Sequence, residues 1–165
     1  MAQTSFYKAV EAFPRALCLL GSKIEDSSTR LKVIENLWEE HGHGDENVFH
    51  VKSYINYLSA LGLENVKDIK KENIFVKYWI ENLLINNNVS SLYAIELAAI
   101  EYIYTRVSKK IIETLNRDDF CLKHQQNHYS IHEVLDVNHA NDLIDIALKE
   151  ASKQQVDINN LINLF

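Results

Sequence analysis

Glycine, proline and cysteine are all scarce in this chain, whose 165 residues include four glycines, one proline and two cysteines. So few glycines and prolines leave little material for hairpin turns, and the abundant Leu, Ile, Glu and Lys favour helices. We therefore expect an all-α fold of about six to seven helices, in a single domain spanning residues 1–165. Two isolated cysteines, Cys18 and Cys121, are too few for a disulfide framework and favour a reducing cytoplasm.

Clustered positive charge and long apolar runs are also lacking. The formal net charge is -6 and the pI is about 5.6, and Lys67, Lys70 and Lys71 are interleaved with acidic residues. Phosphate binding needs clustered Lys and Arg, so we expect no nucleic-acid partner. The apolar run at residues 16–20 is too short for a signal peptide, and no run reaches membrane-spanning length, so we expect no membrane partner either.

One stretch of the chain carries a pattern typical of metal ligands. His132, Asp136 and His139 stand at i, i+4 and i+7 in an amphipathic helical segment. At about 100° per residue, the three side chains fall within roughly 60° of one another on the helix surface. Because Val134, Leu135 and their neighbours place this helix against a core, an unpaired carboxylate there would be costly. We interpret the motif as part of a metal site.

Other segments supply candidate partners for this motif. Glu40 and His50 flank a junction broken by Gly42 and Gly44, which lets the following helix turn His50 back toward Glu40. Glu101 lies in a long helix that is apolar on nearly every side, where a charged Glu persists only if it is paired or bound to a cation. Glu96 in the same helix is a rival with similar surroundings.

The candidate ligands suit iron or manganese better than structural zinc, because they are hard carboxylates and imidazoles without thiolates. Three carboxylates nearly balance the four positive charges of two divalent ions, whereas one ion would leave them in excess. We therefore predict a dimetal site, of the kind that helix bundles build from inward-pointing Glu and His side chains. The predicted ligand set is Glu40, His50, Glu101, His132, Asp136 and His139.

These motifs resemble the heme-oxygenase-like diiron oxidases and oxygenases, a family of iron-containing redox enzymes. Residues 12–17 are similar to the second helix of that family, and residues 35–44 followed by His50 resemble its first metal motif. Glu101 with Arg106 resembles the segment that carries the next ligand, and His132 to Ala140 resembles the final motif. The resemblance runs from Ala12 to Ala140 and implies a heme-oxygenase-like helical bundle that lacks the usual first helix and has a short C-terminal one.

The function implied by this resemblance is a non-heme diiron enzyme that activates O2 to oxidise a small organic substrate. One alternative is a metal-free enzyme of the related thiaminase-like or quinone-cofactor-synthesis branches, although Cys121 has no evident activating neighbour for such chemistry. Another alternative is a shortened, non-enzymatic domain for metal binding or interaction. A missing first helix would leave the apolar stripe Phe6, Val10, Phe13 and Leu17 partly uncovered, so we also expect a homodimer.

The remaining polar and aromatic candidates receive weaker expectations. His41 and His43 are expected near the site or in solvent, and His124 and His128 on the surface. Among the tyrosines, three are candidates for proximity to the metals: Tyr7, Tyr102 and Tyr104.

Overall fold

Six α-helices make up most of the described part of the chain, which comprises residues 2–63, 74–85, 89–117 and 127–154 of a computed structural model. In chain order they are α1 (Ala2–Lys23), α2 (Ser27–Glu40), α3 (His50–Ala60), α4 (Ile74–Ile85), α5 (Ser90–Arg117) and α6 (Asn127–Gln154). No strand occurs within these ranges, so the predicted all-α class is confirmed. A short helix predicted from Asp157 to Phe165 lies outside the described residues. None of the helices in the described ranges is long and apolar enough to cross a bilayer.

The two longest helices, α5 and α6, pack against each other in antiparallel orientation. At one end of the pair, Ser90 Oγ donates a hydrogen bond of 2.8 Å to Glu150 Oε2. Toward the other end, Tyr104 Oη lies 2.8 Å from His128 Nε2. Residue numbers therefore rise along α5 as they fall along α6. Four of the six predicted site residues lie on this pair of helices, between the two contacts.

Helix α1 lies against the rest of the bundle, and its apolar stripe is covered within the chain. Phe13 and Leu17 belong to a buried cluster that also contains residues of α5 and α6, and Val10 belongs to a second cluster with α3. Leu17 is fully buried, and Val10 and Phe13 are each only 8% exposed. The reasoning that derived a homodimer from an uncovered α1 stripe is therefore wrong.

Helix α2 begins at Ser27 because Asp26, and not a serine, caps its N-terminus. The Asp26 carboxylate accepts hydrogen bonds from the Thr29 backbone N–H at 2.7 Å and from Ser28 Oγ at 2.6 Å. Such a cap satisfies backbone N–H groups that lack a partner within the helix. Its hydrogen bonds lower the pKa of the Asp26 carboxyl.

A short left-handed turn follows α2 and reverses the chain. Gly42, His43 and Gly44 have φ values of 55°, 53° and 89°. Asp45 does not cap the next helix, because its Oδ1 accepts a hydrogen bond of 2.9 Å from the Asn47 backbone N–H and so closes a local turn. Helix α3 therefore starts five residues later, with His50 as its first residue.

Replacing Gly42 should destabilise the protein more than replacing Gly62 does. Both glycines have positive φ, which costs an alanine about 1 kcal/mol at either position. At Gly42 an added Cβ would also lie 2.7 Å from Val48 Cγ2 and 2.9 Å from the Val48 carbonyl carbon, whereas at Gly62 nothing lies within 4 Å. We expect Gly42→Ala to lower the free energy of unfolding, measured with urea, by about 1–3 kcal/mol more than Gly62→Ala does. Equal losses would show that the turn tolerates the added methyl group.

Candidate metal centre

The six predicted ligands converge in the interior as two adjacent groups of three. The first group is Glu40, His50 and His132, and the second is Glu101, Asp136 and His139. Each residue offers one ligand atom, and within a group these atoms all lie within 4.8 Å of one another. All six residues are buried, with exposed fractions of 7% or less.

The first group joins the end of α2, the start of α3 and the N-terminal part of α6. Glu40 Oε1 lies 2.9 Å from His50 Nδ1, which makes this a buried hydrogen-bonded pair. The ring centroids of His50 and His132 are 4.6 Å apart. The left-handed turn after α2 makes this arrangement possible, because it brings the first residue of α3 back against the last residue of α2.

The second group lies between α5 and α6. His139 Nδ1 is 3.6 Å from Glu101 Oε1 and 4.0 Å from Asp136 Oδ1, too far for ordinary hydrogen bonds. Of the two mid-chain candidates, Glu101 belongs to this group, whereas the rival Glu96 belongs to neither group. Asp136 also joins the two groups, because its Oδ1 lies 2.8 Å from His132 Nδ1.

Three buried atoms of these groups have no hydrogen-bond partner among the described residues. They are His132 Nε2, Asp136 Oδ2 and His139 Nδ1. Buried polar atoms are nearly always paired, so three orphaned acceptor-type atoms in one place point to a bound group. Imidazole nitrogens and carboxylate oxygens without thiolates fit iron or manganese. The residues present therefore fit a metal centre.

The pKa values of the Glu40 and Glu101 carboxyls are shifted in opposite directions. Burial acts to raise the pKa of the Glu40 carboxyl, but His50, His132 and His139 outweigh it and the pKa is lowered. Burial, followed by the negative charges of Asp136 and Glu40, raises the pKa of Glu101 well above its usual range. Burial lowers the pKa of His50, but Glu40 beside it leaves the pKa raised overall.

Three side chains outside the predicted ligand set contact residues of the two groups or their neighbours. Asn36 Nδ2 donates to Glu101 Oε1 at 2.9 Å. Glu39 Oε2 lies 2.8 Å from His139 Nε2, which leaves Nδ1 of that ring directed to Glu101 and Asp136. Helical spacing could have revealed Asn36, one turn before Glu40, whereas Glu39 offered only its position beside Glu40.

His128 is the third of these side chains, and its predicted surface position is wrong because it is 1% exposed. Ser53 Oγ donates to the His50 carbonyl at 2.8 Å, so it accepts from His128 Nδ1–H, also at 2.8 Å. His128 Nε2 then accepts the hydrogen bond of Tyr104 Oη. Burial, followed by His132 and His50, lowers the pKa of His128 well below its usual value, which keeps the ring neutral.

The three tyrosines predicted to approach the metals differ in position. The Tyr104 ring lies 4.9 Å from the His132 ring and forms part of the site. Tyr102, by contrast, is 53% exposed, so that expectation is wrong. Tyr7 is buried in the cluster around α3 and donates a hydrogen bond to Glu11 Oε1 at 3.1 Å.

An apolar cavity of about 230 Å³ opens onto the site. Its walls come mainly from α1 and α5, with the apolar side chains Phe6, Val10, Phe13, Ile100, Ile103 and Val107 among them. Polar lining is confined to residues in or beside the two groups, namely Glu40, Glu101, His132, His128 and Tyr104. The described lining contains no Lys or Arg.

A family model described as iron-containing redox enzyme matches residues 2–162 of the chain. No curated protein matches it.

The stability of the metal-free protein should fall as the pH rises above 6.5. A histidine with a raised pKa holds its proton in the folded state after the unfolded state has lost it near pH 6.5, so the stabilisation present below that pH disappears as the pH passes the folded pKa. His50 is such a residue. Glu101 acts in the same direction, from its unfolded pKa near 4.5 upward.

Below pH 6.5 the lowered pKa of His128 makes stability change with pH in the opposite direction. The stabilities are therefore compared from pH 6.5 upward. We would measure urea unfolding at pH 6.5 and 8.0 with a chelator present. Replacing His50 by Gln should flatten the decrease. A wild-type stability that is constant or rises between the two pH values would contradict the raised pKa values of His50 and Glu101.

Proposed function

The chain belongs to the family of iron-containing redox enzymes, and we propose that it is a non-heme dimetal oxidase or oxygenase that activates O2 to oxidise a small organic substrate. Its heme-oxygenase-like helical fold agrees with that of the family. The observation that carries the proposal is the pair of buried three-residue groups with orphaned ligand atoms. Two iron ions would complete these groups, with manganese as the alternative metal.

Each group would hold one ion, and the two ions would supply the electrons for O2 reduction. Glu40, His50 and His132 would hold the first ion, which requires the hydrogen bond between Glu40 and His50 to open. Glu101 and its partners in the second group would hold the other. Asp136 would orient His132 through Oδ1 while it offers Oδ2 as a ligand.

Hydrogen bonds from residues outside the two groups orient the remaining ligands. Asn36 fixes the Glu101 carboxylate, and Glu39 fixes the ring of His139 so that Nδ1 faces the centre. Such outer contacts set ligand orientation and typically change metal affinity by 10- to 100-fold. Neutral His128 accepts a hydrogen bond from Tyr104 Oη, which holds the phenol at the boundary between the centre and the apolar cavity.

The apolar cavity is the proposed substrate site. Its described lining is apolar on the side away from the two groups and contains no Lys or Arg to pair with an anionic substrate. At about 230 Å³ it is smaller than the ~300–1,000 Å³ of pockets for drug-sized ligands. We therefore propose a compact substrate whose aliphatic or aromatic part lies in the cavity and whose reactive carbon or nitrogen faces Glu40 and Glu101.

A homodimer and a cytoplasmic location stay predictions of the sequence alone. Light scattering over a concentration series and cell fractionation test them directly.

Loss of Asp136 should weaken metal binding without unfolding the protein. Asp136→Asn keeps the shape of the side chain, removes one charge, and relieves the repulsion with Glu101, so the metal-free variant should melt no lower than the wild type. We expect elemental analysis to give two ions per wild-type chain and at most one per variant chain. Added Fe(II) should raise the melting temperature of the wild type far more than that of Asp136→Asn.

Glu133→Gln is the matched control, because Glu133 lies on the same helix and belongs to neither group. It should bind metal as the wild type does. The Fe(II)-loaded wild type should consume O2 in an oxygen electrode, and Asp136→Asn should not. Equal metal binding by wild type and Asp136→Asn, or metal-loaded wild type that leaves O2 untouched, would overturn the proposed function.

A charge at the mouth of the apolar cavity should weaken binding of apolar molecules. Val107 lines the cavity and is 41% exposed. We expect Val107→Lys to bind octan-1-ol at least ~10-fold more weakly in calorimetry, because the probe loses apolar contact area next to a charge. Ile74→Lys, at a site that is 77% exposed and outside the cavity, is the control. Equal affinities of all three proteins would place the probe elsewhere.

A further inference from the structure

A second cavity reaches the same centre from the opposite side. It is a cleft of about 110 Å³ between α2 and α6, and it shares no lining residue with the apolar cavity. Its polar lining consists of Lys32, Glu35, Asn36, Glu39, Asn138, His139 and Asp142. The six candidate ligands therefore stand between an apolar cavity and a polar cleft.

His139 forms the wall between the cleft and the centre. Its Nε2 bonds to Glu39, which lines the cleft and has a side chain that is 29% exposed. Its Nδ1, on the opposite side of the ring, faces Glu101 and Asp136 and has no hydrogen-bond partner among the described residues. One imidazole thus has a nitrogen on each side of the wall.

Asn36 marks a polar position at the inner end of the cleft. The residue is only 5% exposed, and its Nδ2 is bonded to Glu101. Its carbonyl oxygen Oδ1 has no partner within the part of the chain that the structure describes. A buried amide oxygen of this kind requires a donor or a cation.

The charges of the cleft favour a cation. Glu35, Glu39 and Asp142 provide three carboxylates among the lining residues, against the single ammonium of Lys32. That ammonium is itself held by Asp142 and, at 3.1 Å, by Asp145. A narrow cleft with one sign of charge concentrates ions of the opposite sign.

We propose that this cleft is a transient binding site for divalent cations and the route by which metal ions reach the centre. Glu39 binds the incoming hydrated ion, with Glu35 attracting it at the outer end and Asn36 Oδ1 providing a further oxygen ligand. The ion then passes beside His139 to Glu101 and Asp136. The apolar cavity is unsuited to this task, because stripping water from a divalent ion without replacement ligands is very costly. The inference rests on the proposed function, since it supposes that the centre holds metal.

The test is the rate of Mn(II) uptake by the metal-free, full-length protein. Stopped-flow mixing with Mn(II) and a fluorescent chelator follows the loss of free ion, with no reference to enzyme activity. Glu39→Gln keeps an oxygen that can accept the hydrogen bond of His139 but removes the charge. We expect it to slow uptake about tenfold at low ionic strength, and Glu35→Gln to slow it less.

Lys32→Gln should have the opposite effect and accelerate uptake, because it removes the positive charge from the cleft and releases Asp142. The differences should shrink at high salt, where the charges are screened. Glu113→Gln is the matched control. Like Glu35→Gln and Glu39→Gln it removes one negative charge, but at an exposed site near the C-terminal end of α5. It should leave the rate of uptake unchanged.

The outcomes separate this inference from the proposed function. Wild-type protein that binds two ions, with Glu35→Gln and Glu39→Gln taking up Mn(II) at the wild-type rate, would overturn the cleft alone. If Val107→Lys, at the mouth of the apolar cavity, takes up Mn(II) more slowly while the cleft variants keep the wild-type rate, the route lies through the apolar cavity instead. Wild-type protein that binds no Mn(II) or Fe(II) at equilibrium would overturn the proposed function and the cleft together.

Discussion

Burial of charge in the middle of the bundle is the constraint on which the rest of the structure depends. Glu40, Glu101 and Asp136 bring three carboxylates into an interior where unpaired charge is costly. Glu40 and Asp136 each form a hydrogen bond with an imidazole, whereas Glu101 accepts one from the amide of Asn36, and burial with the charges of Asp136 and Glu40 raises its pKa. The local structure brings these groups together, through the left-handed turn after α2 and the antiparallel packing of α5 on α6. An ion on the second group would replace the proton that Glu101 otherwise retains.

The all-α class could be predicted from composition, and three of the six converging residues from helical geometry. Glu40, His50 and Glu101 lie on other helices and were indicated by the glycine break, by apolar surroundings and by the resemblance to a known family. Side chains at i, i+4 and i+7 share a face whatever surrounds the helix, so His132, Asp136 and His139 form a recognisable motif. The same spacing could have included His128, one turn earlier, but a lone histidine carries no sign of whether its face is buried. The pairing of Glu39 with His139 spans 100 residues, and local periodicity contains no information about it.

One group of errors in the sequence analysis concerns which faces of a helix are covered. Val134 was expected to help pack α6 against the core and is 65% exposed. Trp38 on α2 is 53% exposed, yet it has a local role, because a Cβ on Gly44 would lie 2.9 Å from its ring. An indole over a glycine turn and an indole in a core produce the same pattern along a helix. Only the position of the neighbouring helices distinguishes the two.

The hydrogen bonds at the far ends of α5 and α6 have a consequence for the centre. Ser90 bonds to Glu150, and Ser91 Oγ donates to Gln154 Oε1 at 2.9 Å. Eleven residues of helix, about 16 Å, separate Ser90 from Glu101. His128 and His132 are one helical turn apart on α6, so a slip of one turn would present the wrong imidazole to Glu40. The hydrogen bonds of these distant hydroxyls thus add to the apolar packing of α5 on α6, and together they hold the register in which His132, and not His128, faces Glu40.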